Sequence, residues 1–255
     1  MPVISRNAQA FYLGSAQHLA AAGVNFLLQG TAQIPLLLED VILTSQLGFG
    51  SVNTITLAGQ SLMASDQGMP IQGFSPQAQL EGFRSVSLPI NTNQRFEMGG
   101  VMNGPAQDVG MAVSTSPIAP QQYRPTSQLG GALNYCFGVT GSGGVGAGVG
   151  VQTTFTATCL RDCVLGRLII VNQNAAGVPD DDINVVSILC EGIELLSGQQ
   201  GTDVVNIGAL SPLCTDLSGL QLNYPISANG QLRIIVQNNN VGAGLLGIGV
   251  FCLPA

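Results

Sequence analysis

The sequence predicts an all-β protein of two tandem β-sandwich (jelly-roll) domains related by internal duplication. Three observations point there: short apolar segments of strand character, an ordered series of self-matches between the two halves, and a glycine run separating them.

The periodic segments are short, rich in Val, Ile, Leu and Thr, and closed by Gly, Pro, Asn or Ser, the pattern of strands rather than helices. In the first half they fall at 25–29, 32–37, 40–44, 52–57, 84–90, 94–102 and 108–115. In the second they fall at 151–158, 162–171, 183–190, 203–209, 219–226, 230–237 and 245–253. The run from Gln231 to Val236 ends in Asn238-Asn239-Asn240, a turn signal. Seven or so strands per half suit a sandwich or jelly roll. Short helices are expected over Ala8–Ala22 and near Gln77–Glu81. The domains follow: 1–24 an N-terminal arm or short helix, 25–125 a first jelly roll, 126–150 a linker or glycine-rich loop, 151–255 a second jelly roll. Gly141–Gly150, Gly-Ser-Gly-Gly-Val-Gly-Ala-Gly-Val-Gly, reads as a flexible linker or a long loop tip.

The self-matches keep their order. Leu38–Leu43 parallels Leu160–Leu165 at an offset of 122 (160 − 38). Ile55, Gly59 and Leu62 match Ile188, Gly192 and Leu195 at 133 (188 − 55). Ile71, Ser75-Pro76, Pro89-Ile90 and Asn93 match Ile207, Ser211-Pro212, Pro225-Ile226 and Asn229 at 136 (207 − 71). Gly110 and Pro117 match Gly247 and Pro254 at 137 (247 − 110). A rising offset is what loop insertions in a second copy produce; the largest, 11 residues (133 − 122), is expected between Asn172 and Asp182.

Hydrophobic residues make up 45% of the 255 and charged residues only 8%, where about 25% charged is usual. All seven basic residues are arginine, lysine is absent, and the net charge is −7. So little charge points to a surface covered by neighbours. The negative balance disfavours nucleic acid and anionic lipid as direct partners. No run of about 18 apolar residues predicts a membrane-spanning helix. The opening residues lack a secretory signal pattern, so synthesis inside a cell is expected.

Few residues offer chemistry. His18 is the one histidine, too little for a triad without a placed base and orienting acid. Gly141-x-Gly143-x-x-Gly146 matches a dinucleotide-binding spacing, but strand-forming Thr153-Thr154-Phe155-Thr156 follows where a helix must start. A Walker loop needs a lysine. The cysteines, Cys136, Cys159, Cys163, Cys190, Cys214 and Cys252, form no CxxC pair. At the offsets above, the last five correspond to Leu37, Val41, Leu57, Ala78 and Thr115. Four of those are apolar, so buried free thiols are favoured over disulfides. Asp180, Asp181 and Asp182 are the metal candidate, hard oxygen ligands suited to calcium; the alternative is a solvated turn. No other cofactor is expected.

Two segments repeat a strand followed by a G-x-x-L turn, Ile55–Leu62 and Ile188–Leu195. With the tandem copies, the N-terminal arm and the charge-poor composition, the chain resembles the double jelly-roll major capsid proteins of tailless, membrane-containing icosahedral phages (corticovirus- and tectivirus-like). The resemblance implies a viral structural protein rather than an enzyme. It implies a homotrimer whose six jelly rolls form a pseudo-hexagonal tile of an icosahedral shell, located in the virion. Implied partners are further copies, neighbouring capsomers, other virion proteins and, through the arm, an internal membrane. The alternatives are a minor virion vertex protein or a carbohydrate- or receptor-binding β-sandwich module such as a fibre head or adhesin. The module reading predicts exposed aromatics, and the chain has no Trp and four Tyr.

Overall fold

Backbone pairing accounts for the architecture more directly than composition does. The computed structural model describes residues 11–45, 49–75, 85–117, 135–173, 182–196, 205–210 and 220–255. The first half holds β1 (Phe11–Leu19), β2 (Val24–Thr31), β3 (Leu36–Ser45), β4 (Gly50–Leu57), β5 (Gln60–Ser61), β6 (Met69–Pro70), β7 (Ser85–Ile90), β8 (Arg95–Met102) and β9 (Gln107–Pro117). The second holds β10 (Tyr135–Val145), β11 (Val151–Thr158), β12 (Cys163–Asn172), β13 (Ile183–Cys190), β14 (Ile193–Glu194), β15 (Val205–Asn206), β16 (Leu220–Ile226), β17 (Gln231–Asn238) and β18 (Gly244–Pro254).

The pairs are nested. In the first half β1 joins β9, β2 joins β8, β3 joins β7, and β4 joins β5 and β6. The second half nests β10 with β18, β11 with β17, β12 with β16, and β13 with β14 and β15. A long antiparallel hairpin rolled into two facing sheets gives this nesting, the jelly roll. The sheets run β1-β9-β3-β7 and β2-β8-β4-β5, then β10-β18-β12-β16 and β11-β17-β13-β14. Alternation turns Phe26, Leu28, Phe96 and Met98 into the first core and Leu232, Ile234 and Val236 into the second.

The G-x-x-L segments are one turn used twice. Ala58 and Gly59 have φ of 50° and 82°, and Glu191 and Gly192 have 49° and 85°. Two successive positive φ values make the hairpin turn that matches strand twist. Beyond it, Leu62 N–H donates to the Ile55 carbonyl at 2.8 Å and Leu195 N–H to that of Ile188 at 2.7 Å.

Several expectations are corrected. Ala8–Ala22 is not helical over its described part: β1 pairs with β9 from Phe11 to Leu19 and buries Leu13 and Leu19. Tertiary pairing overrides the helix propensity of its alanines. Residues 11–19 therefore belong to the first sandwich rather than to an arm. Of segment 32–37 only Leu36 and Leu37 are strand; they join 40–44 in β3, with a bulge between Leu38 and Asp40, while 32–35 is the bend between β2 and β3. Gly141–Val145 is the end of strand β10, so 126–150 is not all linker, and within Gly141–Gly150 the chain turns at 146–150. Segment 203–209 is, where described, the two-residue β15 and a 3-10 turn, Ile207–Leu210. The Gln77–Glu81 helix lies outside the described residues.

The 122 offset is also wrong. Leu36 pairs with Ile90 and Pro117, as Cys163 pairs with Ile226 and Pro254, an offset of 127 (163 − 36). The same 127 relates β2 to β11 (151 − 24). Cys159 and Cys163 thus correspond to Ala32 and Leu36, and the following insertion shrinks to six residues (133 − 127).

Candidate assembly surface

Among the described residues, no strand of one half enters a sheet of the other, yet residues 62–72 seal the halves together. Short bridges join Met63 to Cys136, Ser65 to Cys159 and Gln67 to Gly138. Cys136 N–H donates to the Leu62 carbonyl at 3.0 Å, and Ala64 N–H to that of Cys136 at 2.8 Å. Leu160 N–H reaches the Ala64 carbonyl at 2.8 Å, and Thr158 N–H the Asp66 carboxylate at 2.8 Å. The first half thereby adds a short strand to the open edge of β10, which would otherwise present unpaired backbone groups.

Beside that edge, Met69 and Pro70 press on the outer face of the sheet β10-β18-β12. The face is built of cross-strand rows: Gly138, Gly249 and Ile169 in one, Gly247 and Val171 in the next. A Cβ on Gly249 would lie 2.6 Å from Met69 Cε, and one on Gly247 2.5 Å from Pro70 Cβ. On Gly138 it would run into the carbonyl oxygens of Gln67 and Gly68. Glycine is required because backbone meets backbone here. Ile169, Val171 and Cys136 consequently join the core of the first half.

Gln173, 3% exposed, closes the joint. Its Nε2 donates to the Gly141 carbonyl at 2.7 Å, with the Gly50 carbonyl at 3.2 Å and Gln72 Oε1 at 3.3 Å also in reach. One amide thus ties β4, β10 and the 3-10 turn Ile71–Phe74 together at a buried point.

In the first half the corresponding face is open. Its rows are Gly14, Ala112 and Ile42, then Ala16, Gly110 and Thr44. Gly14, Ala16, Thr44 and Ala112 are exposed and Ile42 and Gly110 half-buried. A depression of about 390 Å³ lies on it, lined by Ala16, Thr44, Ser45, Asp108, Val109 and Gly110. The second half's counterparts of the sealing segment are open too: Leu195, Leu196, Val205 and Asn206 are half-buried. In the first half, Leu62, Met63, Met69 and Pro70 are buried.

The sequence-derived candidates fall elsewhere. Asp180 and Asp181 lie outside the described residues. Asp182 is a turn anchor: its Oδ2 accepts from Asn240 Nδ2 and its carbonyl from Asn239 N–H, both at 2.7 Å. Among the described residues, no group of three or more His, Cys, Asp or Glu is placed to hold a metal ion. His18 Nδ1 lies 2.7 Å from Asp108 Oδ1, both side chains about two-thirds exposed. That is a solvated contact at the rim of the open face.

The described cysteines, Cys136, Cys159, Cys163, Cys190 and Cys252, are free and buried; Cys214 lies outside the described residues. Burial pushes Cys136, Cys159 and Cys190 up to about 12 and raises Cys252 as well. Cys163 is lowered, because the Cys252 and Cys159 thiols both hydrogen-bond to it; Cys159 Sγ sits 3.8 Å away. These thiols act as small apolar groups.

Sequence reasoning missed the joint. Its signal was available in Gly247-x-Gly249, two glycines on one face of a strand, which marks close backbone approach.

The fold defines a chain of two fused antiparallel jelly rolls. No family model matches the sequence, and no curated protein matches it. Among solved structures the chain is similar to the major capsid protein P2 from bacteriophage PM2, at 8% identity over 97% of this chain and 98% of that one, with a TM-score of 0.33.

Proposed function

We propose that the chain is a viral structural protein, a major capsid protein that assembles with copies of itself into trimers and an icosahedral shell. One observation carries the reading: two equivalent jelly rolls are sealed side by side in one chain, and the surfaces equivalent to that seal are left open. Such a chain is a tile with unsatisfied edges. The composition supports it, since 8% charged residues make a poor coat for a freely diffusing monomer. In this reading the protein resides in the virion and touches other virion proteins. An internal membrane is a further partner in this reading, and no genome contact is made. The chain's role is structural, with no catalytic step.

The test is the mass of purified protein by light scattering, followed by electron microscopy of the same sample. Trimers, sheets or closed shells are expected. A monomer that persists at high concentration overturns the reading.

A further inference from the structure

We propose that the open outer face of β1-β9-β3 binds a second copy of this chain, receiving the edge formed by Leu195, Leu196, Val205 and Asn206. The inference rests on the assembly reading above and names the contact that would perform it.

The argument is continuity with the seal already present inside each chain. That seal has two sides, a sheet face of glycine-rich rows and a segment bearing Leu62, Met63, Met69 and Pro70. Register gives each side a counterpart in the other half. Gly249 and Ile169 correspond to Ala112 and Ile42, by offsets of 137 (249 − 112) and 127 (169 − 42). Met69 and Pro70 pair with Val52 and Ser51 as Val205 and Asn206 pair with Val185 and Asn184, an offset of 136 (205 − 69). Both counterparts are partly or fully exposed within one chain, and they lie on opposite halves. A chain therefore carries one used socket, one used plug, one free socket and one free plug.

The free socket suits its plug chemically. Its rows hold no charge, Gly14, Ala16, Gly110 and Ala112 leave the backbone low, and Ile42 adds an apolar centre. The plug has a half-exposed valine where the buried seal has Met69, and a smaller residue is what Ala112 demands where the seal has Gly249. Among the described residues, the outer edge of β1 is also unpaired in its sheet, as β10 would be without residues 62–64. Leu195 and Leu196 stand at the positions of Leu62 and Met63, so the same strand addition is available between copies. A contact of plug to socket is heterologous, so repetition closes a ring or grows a filament.

The test uses two full-length variants. Ala112→Arg blocks the socket and Val205→Glu blocks the plug, and each alone is expected to run as a folded monomer. Mixed one to one, the free plug of the first meets the free socket of the second, so a heterodimer that grows no further is expected. Mixtures are read up to about 1 mM, the effective concentration that ring closure supplies. Ala16→Arg, on the same exposed face, repeats the socket block should Val205→Glu fail to fold. Wild-type-like assembly by Ala112→Arg and Ala16→Arg, or a mixture that stays monomeric, overturns this contact while a trimeric wild type keeps the assembly reading. A monomeric wild type overturns both.

Discussion

The sheets β1-β9-β3-β7 and β10-β18-β12-β16 share one strand order and, apart from the register shifts of β10 between Gly138 and Gly143, one register, yet the first shows its outer face to solvent and the second is sealed under Met69 and Pro70. The residues differ where the contacts differ. Gly249 stands where the open face has Ala112, and Val171 where it has Thr44. Duplicated folds are free to diverge at the surface, and here the core registers stay while the face adapts to what covers it. The sealed face has become core; the open one keeps a thin surface whose two central rows carry no charge.

The largest effect expected from breaking this comparison is at its matched glycines. Gly138→Ala forces a Cβ into two backbone carbonyls that cannot move aside, and should cost about 3 kcal/mol in urea unfolding. At its counterpart Gly14, an added Cβ would meet only the Met111 carbonyl oxygen, at 3.6 Å. Gly14→Ala should stay within about 0.5 kcal/mol of wild type. Equal losses at the two sites would mean that the joint is no tighter than the open face.

Next in size is Gln173→Leu. It leaves the Gly141 carbonyl buried without its 2.7 Å donor, and a lost buried partner costs about 2 kcal/mol. Chemical unfolding of the variant should show the loss. An unchanged midpoint would mean that water reaches the joint and replaces the amide.

Much of the fold is legible in the sequence, for physical reasons that differ by element. The G-x-x-L turns stand out because two residues with positive φ call for glycine at a fixed place. Strands such as β17 stand out because each buries one face and alternates. Strand β1 does not, since the alanines in and around it favour helix and only the distant β9 makes it extended. The 122 offset matches Leu-x-Asp at 38–40 to 160–162, a likeness of letters alone, since strand pairing sets 127 on both sides of the bulge in β3. The joint was hidden because glycine reads as flexibility in a one-dimensional string. Only with Gln67 and Gly68 placed opposite does Gly138 become a packing residue.

Smaller effects should follow from the thiols, which are confined to the second half among all 255 residues. Burial lifts Cys136, Cys159 and Cys190 from 9.0 to about 12, so the folded state holds these protons more tightly than the unfolded chain. A raised value contributes stability that is complete below 9 and is lost as pH rises from there toward 12. The urea midpoint should therefore be flat from neutral pH to about 8.5 and fall above about 9, by at most about 1.4 kcal/mol per pH unit for each thiol. Cys190→Leu restores the residue of the first half, Leu57, and should make the alkaline slope shallower. A slope that does not change would place the alkaline loss outside Cys190.

The smallest effect is expected at the rim of the open face, from Asp108→Asn. The His18–Asp108 contact is short at 2.7 Å, but both side chains are about two-thirds exposed. Water and salt screen such a pair to about 0.5 kcal/mol or less. The other half supports that figure by doing without the pair: Leu245 occupies the position of Asp108 (245 − 108 = 137), with Gly144 across from it. Unfolding of Asp108→Asn at low and high salt should give midpoints that match wild type closely. A salt-dependent loss above about 1.5 kcal/mol would mean that the open face is held in shape by this contact. Its resemblance to the sealed face would then be one of register alone, without the shared rigidity that a plug needs to find its socket.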